Sequence, residues 1–363
     1  MSTPTTTKAL VVADKGKAEV RDVAMPRLRD EYVLVKVNAV GLNPTDWKHI
    51  DFGLAPPGAR VGCDYAGVVE EVGPGVMKGA QEGGSDCGGG AWMVSCDATE
   101  PENGAFAEYI VAKGDLQIKI PDNLSDEEAA TLGISICTVG QGLYRSLQLP
   151  LPPASFLVKQ RILIYGGSTA TGLLGIQFAR LSGLSVLATS SPHNFDLLRS
   201  LGARWTFDHN AGPDSCAADI RRATSGSLPL AWDCTGLGAE TCAAALSTDA
   251  ERDRPTYGTI VPVERAVLDR VNAAVRGPRE TLMYSAFGER FVKGEKETPA
   301  DPAEYAFAKE FWELARGLLA SGDVKPVVPD VNRGGKGGLE GVLFGLDELR
   351  AGKVSGTKLV YTL

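Results

Sequence analysis

The stretch RILIYGGSTATGLLGIQFARLSG, Arg161 to Gly183, constrains this 363-residue chain more than any other. The apolar run within RILIY reads as a buried strand, GGSTATG as a tight turn, and the remainder as an amphipathic helix. A strand that turns through glycines directly into a helix is the local architecture of a dinucleotide site. Gly166 and Gly167 allow close backbone approach, and the free N–H groups at the helix start suit anionic oxygen. Ser168, Thr169 and Thr171 add hydroxyls beside Ala170, and Gly172 keeps the helix near the strand. The third spaced glycine of the usual fingerprint is missing, so a plain tight turn is the competing reading.

The pattern repeats downstream. LSVLATS, WTFDH, LPLAWDCTG and GTIVPV read as strands, separated by helical stretches including FDLLRSLGA. Alternation at these lengths predicts a doubly wound parallel sheet, the α/β class. Before it the chain is β-rich: KALVVADKGKAEVRDV, YVLVKVNAVGL, GCDYAGVVEEVG and GAFAEYIVAK alternate between apolar and polar residues. Gly79 to Trp92 reads as a mobile glycine-rich loop, and Ser125 as the cap of an interrupted helix. LPLPPASF is a linker. The last sixty residues return to helix, strand, helix and strand. The expected domains are therefore 1–140 with 296–363, and 141–295.

About twenty residues past the glycines, a site for NAD places an acid on the ribose 2′-hydroxyl. Here that stretch is ATSSPHN, without a carboxylate. Ser190, Ser191, Pro192, His193 and Asn194 form a neutral or cationic turn suited to a 2′-phosphate, which favours NADPH. An ordinary polar turn is the alternative, because no Arg or Lys occupies it.

Composition excludes several functions. A net charge of −8 offers no basic stripe for nucleic acid. No apolar run approaches the roughly 18 residues of a membrane span. MSTPTTTKALVV lacks the pattern of a signal peptide, so a cytoplasmic location is expected. Seven cysteines without a CxxC pair suggest buried thiols, not a disulfide or zinc framework.

VNAVGLNPTDWK, GCDYAGVVEEVG and LRAGKVSGTKLVYTL resemble the medium-chain dehydrogenase/reductase superfamily. Within it, NPTDWK, YGGSTAT, SSPHNFDL and GGLEGVLFGLDELRAGKVSG look most like the fungal trans-acting enoyl reductases of polyketide synthases. The resemblance implies a Rossmann-type domain joined to a β-rich GroES-like domain. Zinc members carry metal ligands at positions held here by Asn43, Cys63 and Ile134, with Asp64 after Cys63. Two of these three have lost ligand chemistry, so no metal is expected. EGGSDCGG replaces the usual Gly-Asp-Arg-Val turn.

The resemblance also implies roles for residues. Thr45, Asp46, Trp47 and Lys48 would form a turn at the nicotinamide end of the cofactor, with Lys48 fixing a ribose hydroxyl or stabilising enolate charge. Asp46 would orient that turn, an Asx-turn being the simpler account, and His49 is expected to be exposed or packed. Thr138 resembles a threonine beside the cofactor, and Lys48 and Thr138 are the catalytic candidates. Thr131, Leu132, Gly133, Ile134, Ser135, Ile136, Cys137 and Thr138 would line the acyl pocket, with Phe287, Gly288 and Phe291 of SAFGERF. His209 replaces a tyrosine near the adenosine phosphate. Ile260 and Val261 would offer backbone contacts to nicotinamide, and Val354 and Ser355 would close the site.

The expected function is NADPH-dependent reduction of an enoyl thioester on the acyl carrier domain of a polyketide synthase or PKS-NRPS, by a monomer acting in trans. A free-standing quinone or enal reductase and a non-catalytic partner-binding homologue remain alternatives.

Overall fold

The structure, a computed structural model, describes residues 4–78, 90–93, 100–154, 160–293 and 296–363. Its contacts divide the chain into one unit of Met1–Cys137 with Tyr284–Leu363 and a second of Thr138–Met283.

The first unit opens with the antiparallel hairpin β1 (Thr6–Asp14) and β2 (Lys17–Ala24). β3 (Tyr32–Gly41) is mostly buried along its length, as a strand covered on both faces should be. α1 (Pro44–Asp51) follows, then β4 (Asp64–Val72), β5 (Gly90–Met93) and β6 (Tyr109–Lys113). Two short helices, α2 (Asp126–Ala129) and α3 (Gly133–Val139), come next. Ser125 and Glu128 form a capping box on α2, as the Ser cap with acids in its first turn predicts. Residues 79–89 of the expected glycine-rich loop lie outside the described residues. Gly90 to Trp92 do not form a loop; they belong to β5, which pairs with Asp64–Gly67.

The second unit holds β7 (Arg161–Tyr165), α4 (Ala170–Leu181), β8 (Ser185–Ser190), α5 (Phe195–Ser200), β9 (Ala203–Asp208), α6 (Pro213–Thr224), β10 (Leu230–Asp233), α7 (Ala239–Ala245), β11 (Thr256–Thr259), α8 (Arg265–Val271) and β12 (Arg276–Glu280). All six strands are parallel, in the order β12-β11-β10-β7-β8-β9. Strand order reverses between β7 and β10, and open α/β sheets bind ligands at the carboxyl ends of strands flanking such a reversal. Leu163, Leu187, Ile220, Leu246, Tyr257 and Leu268 pack into the buried core of this unit.

The chain then returns to the first unit with β13 (Phe291–Lys293), β14 (Lys296–Thr298), α9 (Pro302–Ala320), β15 (Pro329–Val331), α10 (Gly338–Arg350) and β16 (Lys358–Thr362). β15 and β16 extend the sheet to β15-β16-β3-β4-β5, with β6 also on β3. Residues 284–295 were expected in the second domain, yet the described part of this segment packs in the first unit. Glu289 accepts from the Tyr32 hydroxyl at 2.8 Å and pairs with Lys113. Among the described residues no helix is long and apolar enough to cross a membrane.

Candidate functional site

Two clusters carry the expected site residues, one in each unit. In the second unit, the turn after β7 is closed by its own polar groups. Gly166 adopts φ +77°, the left-handed region that favours glycine. A Cβ on Gly166 would also lie 2.4 Å from Thr235 Cγ2, so the turns after β7 and β10 meet there. Thr189 on β8 holds the turn from below. Its hydroxyl accepts from Gly166 N at 3.0 Å, and its carbonyl accepts from Gly167 N at 2.8 Å.

Thr169 does not offer the free hydroxyl expected of it. Its Oγ1 donates to Gly166 O at 2.8 Å and accepts from Gly172 N at 3.0 Å, making it the N-cap of α4. The hydroxyl is spent on shaping the turn. What remains open is backbone: among the described residues, the N–H groups of Ser168, Ala170 and Thr171 have no partner. Three unpaired amides opening a twelve-residue helix have the chemistry to hold anionic oxygen.

The SSPHN stretch leaves the carboxyl end of β8, beside the end of β9. Ser190 is buried and its hydroxyl donates to Ser191 O, so it offers no free donor. Ser191 Oγ lies 3.2 Å from His209 Nε2 and accepts from Asn210 Nδ2 at 3.2 Å. His193 and His209 are exposed, and Asn194 is buried with Nδ2 3.2 Å from the His193 ring. The structure thus joins Ser191 to His209 and adds Asn210, which sequence reasoning passed over.

The turn after β10 depends on a residue also missed. Asp233 is fully buried. Its Oδ1 accepts from Thr235 N, Thr235 Oγ1 and Gly236 N at 2.8, 2.7 and 3.0 Å. Its Oδ2 accepts from Gly238 N at 2.7 Å and the Tyr257 hydroxyl at 3.0 Å. After β11, Ile260 N donates to Asp233 O, while Val261 N and O are both engaged by Thr259 Oγ1. The backbone contact expected of Val261 is therefore already taken inside the turn.

In the first unit, Thr45 to Lys48 form part of a helix, not the expected turn. Pro44 stands at its first position, where the missing N–H costs nothing. Asp46 Oδ2 accepts from Asn43 N at 2.7 Å, closing a capping box in place of an Asx-turn. Burial pushes the Asp46 carboxyl up to about 7, with nearby Asp64 adding to the rise and the Asn43 N–H opposing it. The far end of α1 is tied by Arg350, whose Nε and Nη2 both reach Asp51 at 2.9 Å.

On this anchored helix Lys48 is half-buried. Its ammonium lies 5.6 Å from the Trp47 ring and, among the described residues, makes no hydrogen bond or ion pair. His49 is buried and packed, as one of the expectations had it. Its Nδ1 lies 2.7 Å from the Thr45 carbonyl, which only accepts, so Nδ1 carries the proton. Tyr284 joins α1 to the SAFGERF segment. Its hydroxyl lies 3.2 Å from Thr45 Oγ1 and 3.5 Å from His49 Nε2, and its ring packs 5.6 Å from Phe291. Phe287 and Phe291 are both buried. Gly288 has φ +68°, and a Cβ there would strike Tyr305.

The positions that the resemblance aligns with zinc ligands hold a different arrangement. Asp64 is fully buried, and its Oδ2 accepts from Asn43 Nδ2 at 3.0 Å. Its Oδ1 accepts from Ile134 N at 2.7 Å, and Lys358 Nζ pairs with Oδ2. Lys358 Nζ also donates to Thr131 O at 3.2 Å. Burial pushes the neighbouring Cys137 thiol up, away from metal-binding thiolate. Among the described residues no group of three or more His, Cys, Asp or Glu is placed to hold a metal, and this donor set does not suit zinc. The five described cysteines are buried thiols; Cys87 and Cys96 lie outside the described residues.

Thr131, Leu132, Ser135, Ile136 and Cys137 are buried, and Ile134 is half-buried. The Ser135 hydroxyl has no hydrogen-bond partner among the described residues. Thr138 is buried at the first position of the second unit. Val354 is half-buried and Ser355 exposed, in the turn between α10 and β16.

Residues 29–122 match the family model of the alcohol dehydrogenase GroES-like domain. Over 358 residues, covering 99% of both chains, the sequence is 42% identical to the trans-enoyl reductase ACTTS2 of Alternaria alternata. Among solved structures, a putative zinc-dependent alcohol dehydrogenase protein from Rhizobium etli CFN 42 superposes with a TM-score of 0.78 at 21% identity, covering 99% of this chain and 98% of that one. CurK enoyl reductase gives a TM-score of 0.75 at 17% identity, covering 98% and 99%.

Proposed function

This chain belongs to the trans-enoyl reductases of the medium-chain dehydrogenase/reductase superfamily, and from that membership we propose that it performs NADPH-dependent conjugate reduction of an α,β-unsaturated acyl thioester. The thioester is carried on the acyl carrier domain of a polyketide synthase or PKS-NRPS. The enzyme acts on it in trans, as a cytoplasmic monomer in secondary-metabolite biosynthesis.

The observation that carries this reading is the state of Asp64. Its carboxylate is already neutralised by the Lys358 ammonium and filled by Asn43 and Ile134 N–H. Asn43, Cys63 and Ile134 complete no zinc donor set beside it. Chemistry here falls to hydrogen-bond donors and proton sources, which is what conjugate reduction requires.

When bound, the nicotinamide would supply hydride to the β-carbon. The free amides of Ser168, Ala170 and Thr171 would hold the pyrophosphate, and the turn with Gly166, Gly167 and Thr169 would let it approach. Ser191, His209 and Asn210 present donors to the 2′-phosphate, with His193 and Asn194 beside them. Thr45, Trp47, the Ile260 carbonyl, Val354 and Ser355 would supply the remaining cofactor contacts. Lys48 donates to a ribose hydroxyl or to the thioester oxygen, where negative charge develops before a proton reaches the α-carbon. Thr138 would stand beside the cofactor. Thr131 to Cys137, Phe287, Gly288 and Phe291 receive the acyl chain.

The test follows NADPH oxidation with an α-methyl enoyl thioester, with NADH and a small quinone run alongside. Thioester-selective consumption of NADPH supports the reading. Quinone-selective consumption replaces it with a detoxifying reductase, and a preference for NADH removes the role given to Ser191 and His209.

A further inference from the structure

The proposed chemistry makes no direct use of Lys358, yet the geometry points to it as a positioning residue: held on Asp64, its ammonium locks the acyl-binding segment Thr131–Cys137 against the helix that carries Lys48. The inference rests on the roles proposed above for that segment and for Lys48.

The lysine arrives by an unusual route. Lys358 opens β16 and Asp64 opens β4, and these strands lie on opposite sides of β3. Gly41 at the end of β3 pairs with Val360 on one side and Asp64 on the other. A Cβ at Gly41 would lie 3.2 Å from Lys358 Cε and 2.1 Å from Ala130 O. The bare backbone at Gly41 therefore leaves room for the lysine stem and for the end of α2 together.

Both charges are removed from water, with side-chain exposures of 2% for Lys358 and 0% for Asp64. A buried ion pair of this kind adds little net stability over an apolar pair of similar volume. It does fix direction. Asp64 binds the Asn43 side chain at the N-cap of α1 and takes Ile134 N–H near the start of α3. Lys358 takes the carbonyl of Thr131 at the break between α2 and α3. One ion pair thus fixes the entry to the acyl-binding helix and the cap of the Lys48 helix. Reaction rates respond steeply to such placement, since a displacement of about 1 Å can cost about 100-fold.

Two full-length variants test this. Asp64→Asn with Lys358→Met removes both charges and leaves none buried unpaired. Lys358→Arg keeps the charge but replaces a compact ammonium with a planar fork that cannot repeat both contacts. Each is read by amide exchange at Ile134, by NADPH affinity, and by KM and kcat for the enoyl thioester. The positioning role predicts faster exchange at Ile134, a loss of NADPH affinity smaller than the loss in kcat/KM, and a combined loss in kcat/KM of about tenfold to 100-fold. A folded variant with wild-type exchange at Ile134 and wild-type kinetics overturns it. If the double variant does not fold, Lys358→Arg supplies the same readouts. If wild type reduces no enoyl thioester, the proposed function fails by itself. Exchange at Ile134 then still decides whether the ion pair holds this helix in place.

Discussion

Replacing Asp233 by Asn probes how the turn after β10 is held beside the glycine turn. The amide is nearly isosteric but converts one acceptor oxygen into a donor. With its oxygen facing Thr235 and Gly236, the new NH2 meets Gly238 N–H, which loses its partner. The Tyr257 hydroxyl can reverse and accept. An orphaned buried amide costs about 1–3 kcal/mol, and the surviving bonds weaken as their acceptor loses its charge, by about 2 kcal/mol together. Removing a buried charge returns part of this, leaving a net loss of about 2–4 kcal/mol. Urea unfolding of the full chain measures it, with Tyr257→Phe as a control expected to cost about 1 kcal/mol. Because Thr235 packs against Gly166, NADPH affinity should also fall. An Asp233→Asn protein within about 0.5 kcal/mol of wild type, where ordinary surface substitutions lie, would refute the claim that this carboxylate organises the turn.

Thr169→Val removes the N-cap of α4 and should cost about 1 kcal/mol, with weaker NADPH binding by titration; unchanged affinity would free the turn from dependence on that hydroxyl. Asp46 is held protonated up to about 7 in the fold against an ordinary 3.8, so the folded state binds the extra proton between these values. Stability from this group is complete below pH about 4 and declines as pH rises through about 7, by on the order of 4 kcal/mol. Melting temperatures of wild type and Asp46→Asn across that range should diverge in favour of the variant as pH rises; parallel curves would contradict the burial argument. Lys48→Ala should leave stability within about 0.5 kcal/mol, because among the described residues its ammonium meets only the Trp47 ring. It should slow thioester reduction by about 100-fold if Lys48 stabilises developing charge; a wild-type rate would remove that role.

What could be read from the sequence was local. The strand, turn and helix from Arg161 to Leu181 follow from an apolar run, a turn and a cap, all within about twenty residues. The parallel alternation that follows produced the α/β reading in the same way. α1 was missed although its signal was present: Asn43, Pro44 and Asp46 spell an N-cap, a first-turn proline and an acid three positions on. The glycine count around residue 90 hid a strand whose partner, β4, lies earlier in the chain. The remaining misses share a cause. Lys358 meets Asp64 across 294 positions, and Glu289 meets Lys113 across 176. No periodicity encodes such meetings; they arise from sheet order and from the space left at residues such as Gly41.

The central claim is hydride delivery to the β-carbon of an enoyl thioester. Its most direct test incubates the protein with NADPH deuterated at the transferable position and an α-methyl enoyl thioester, and locates the label by NMR. Deuterium at the β-carbon, with the α-hydrogen drawn from solvent, is the predicted result. Deuterium at the carbonyl carbon, or saturated product without label, would contradict the account.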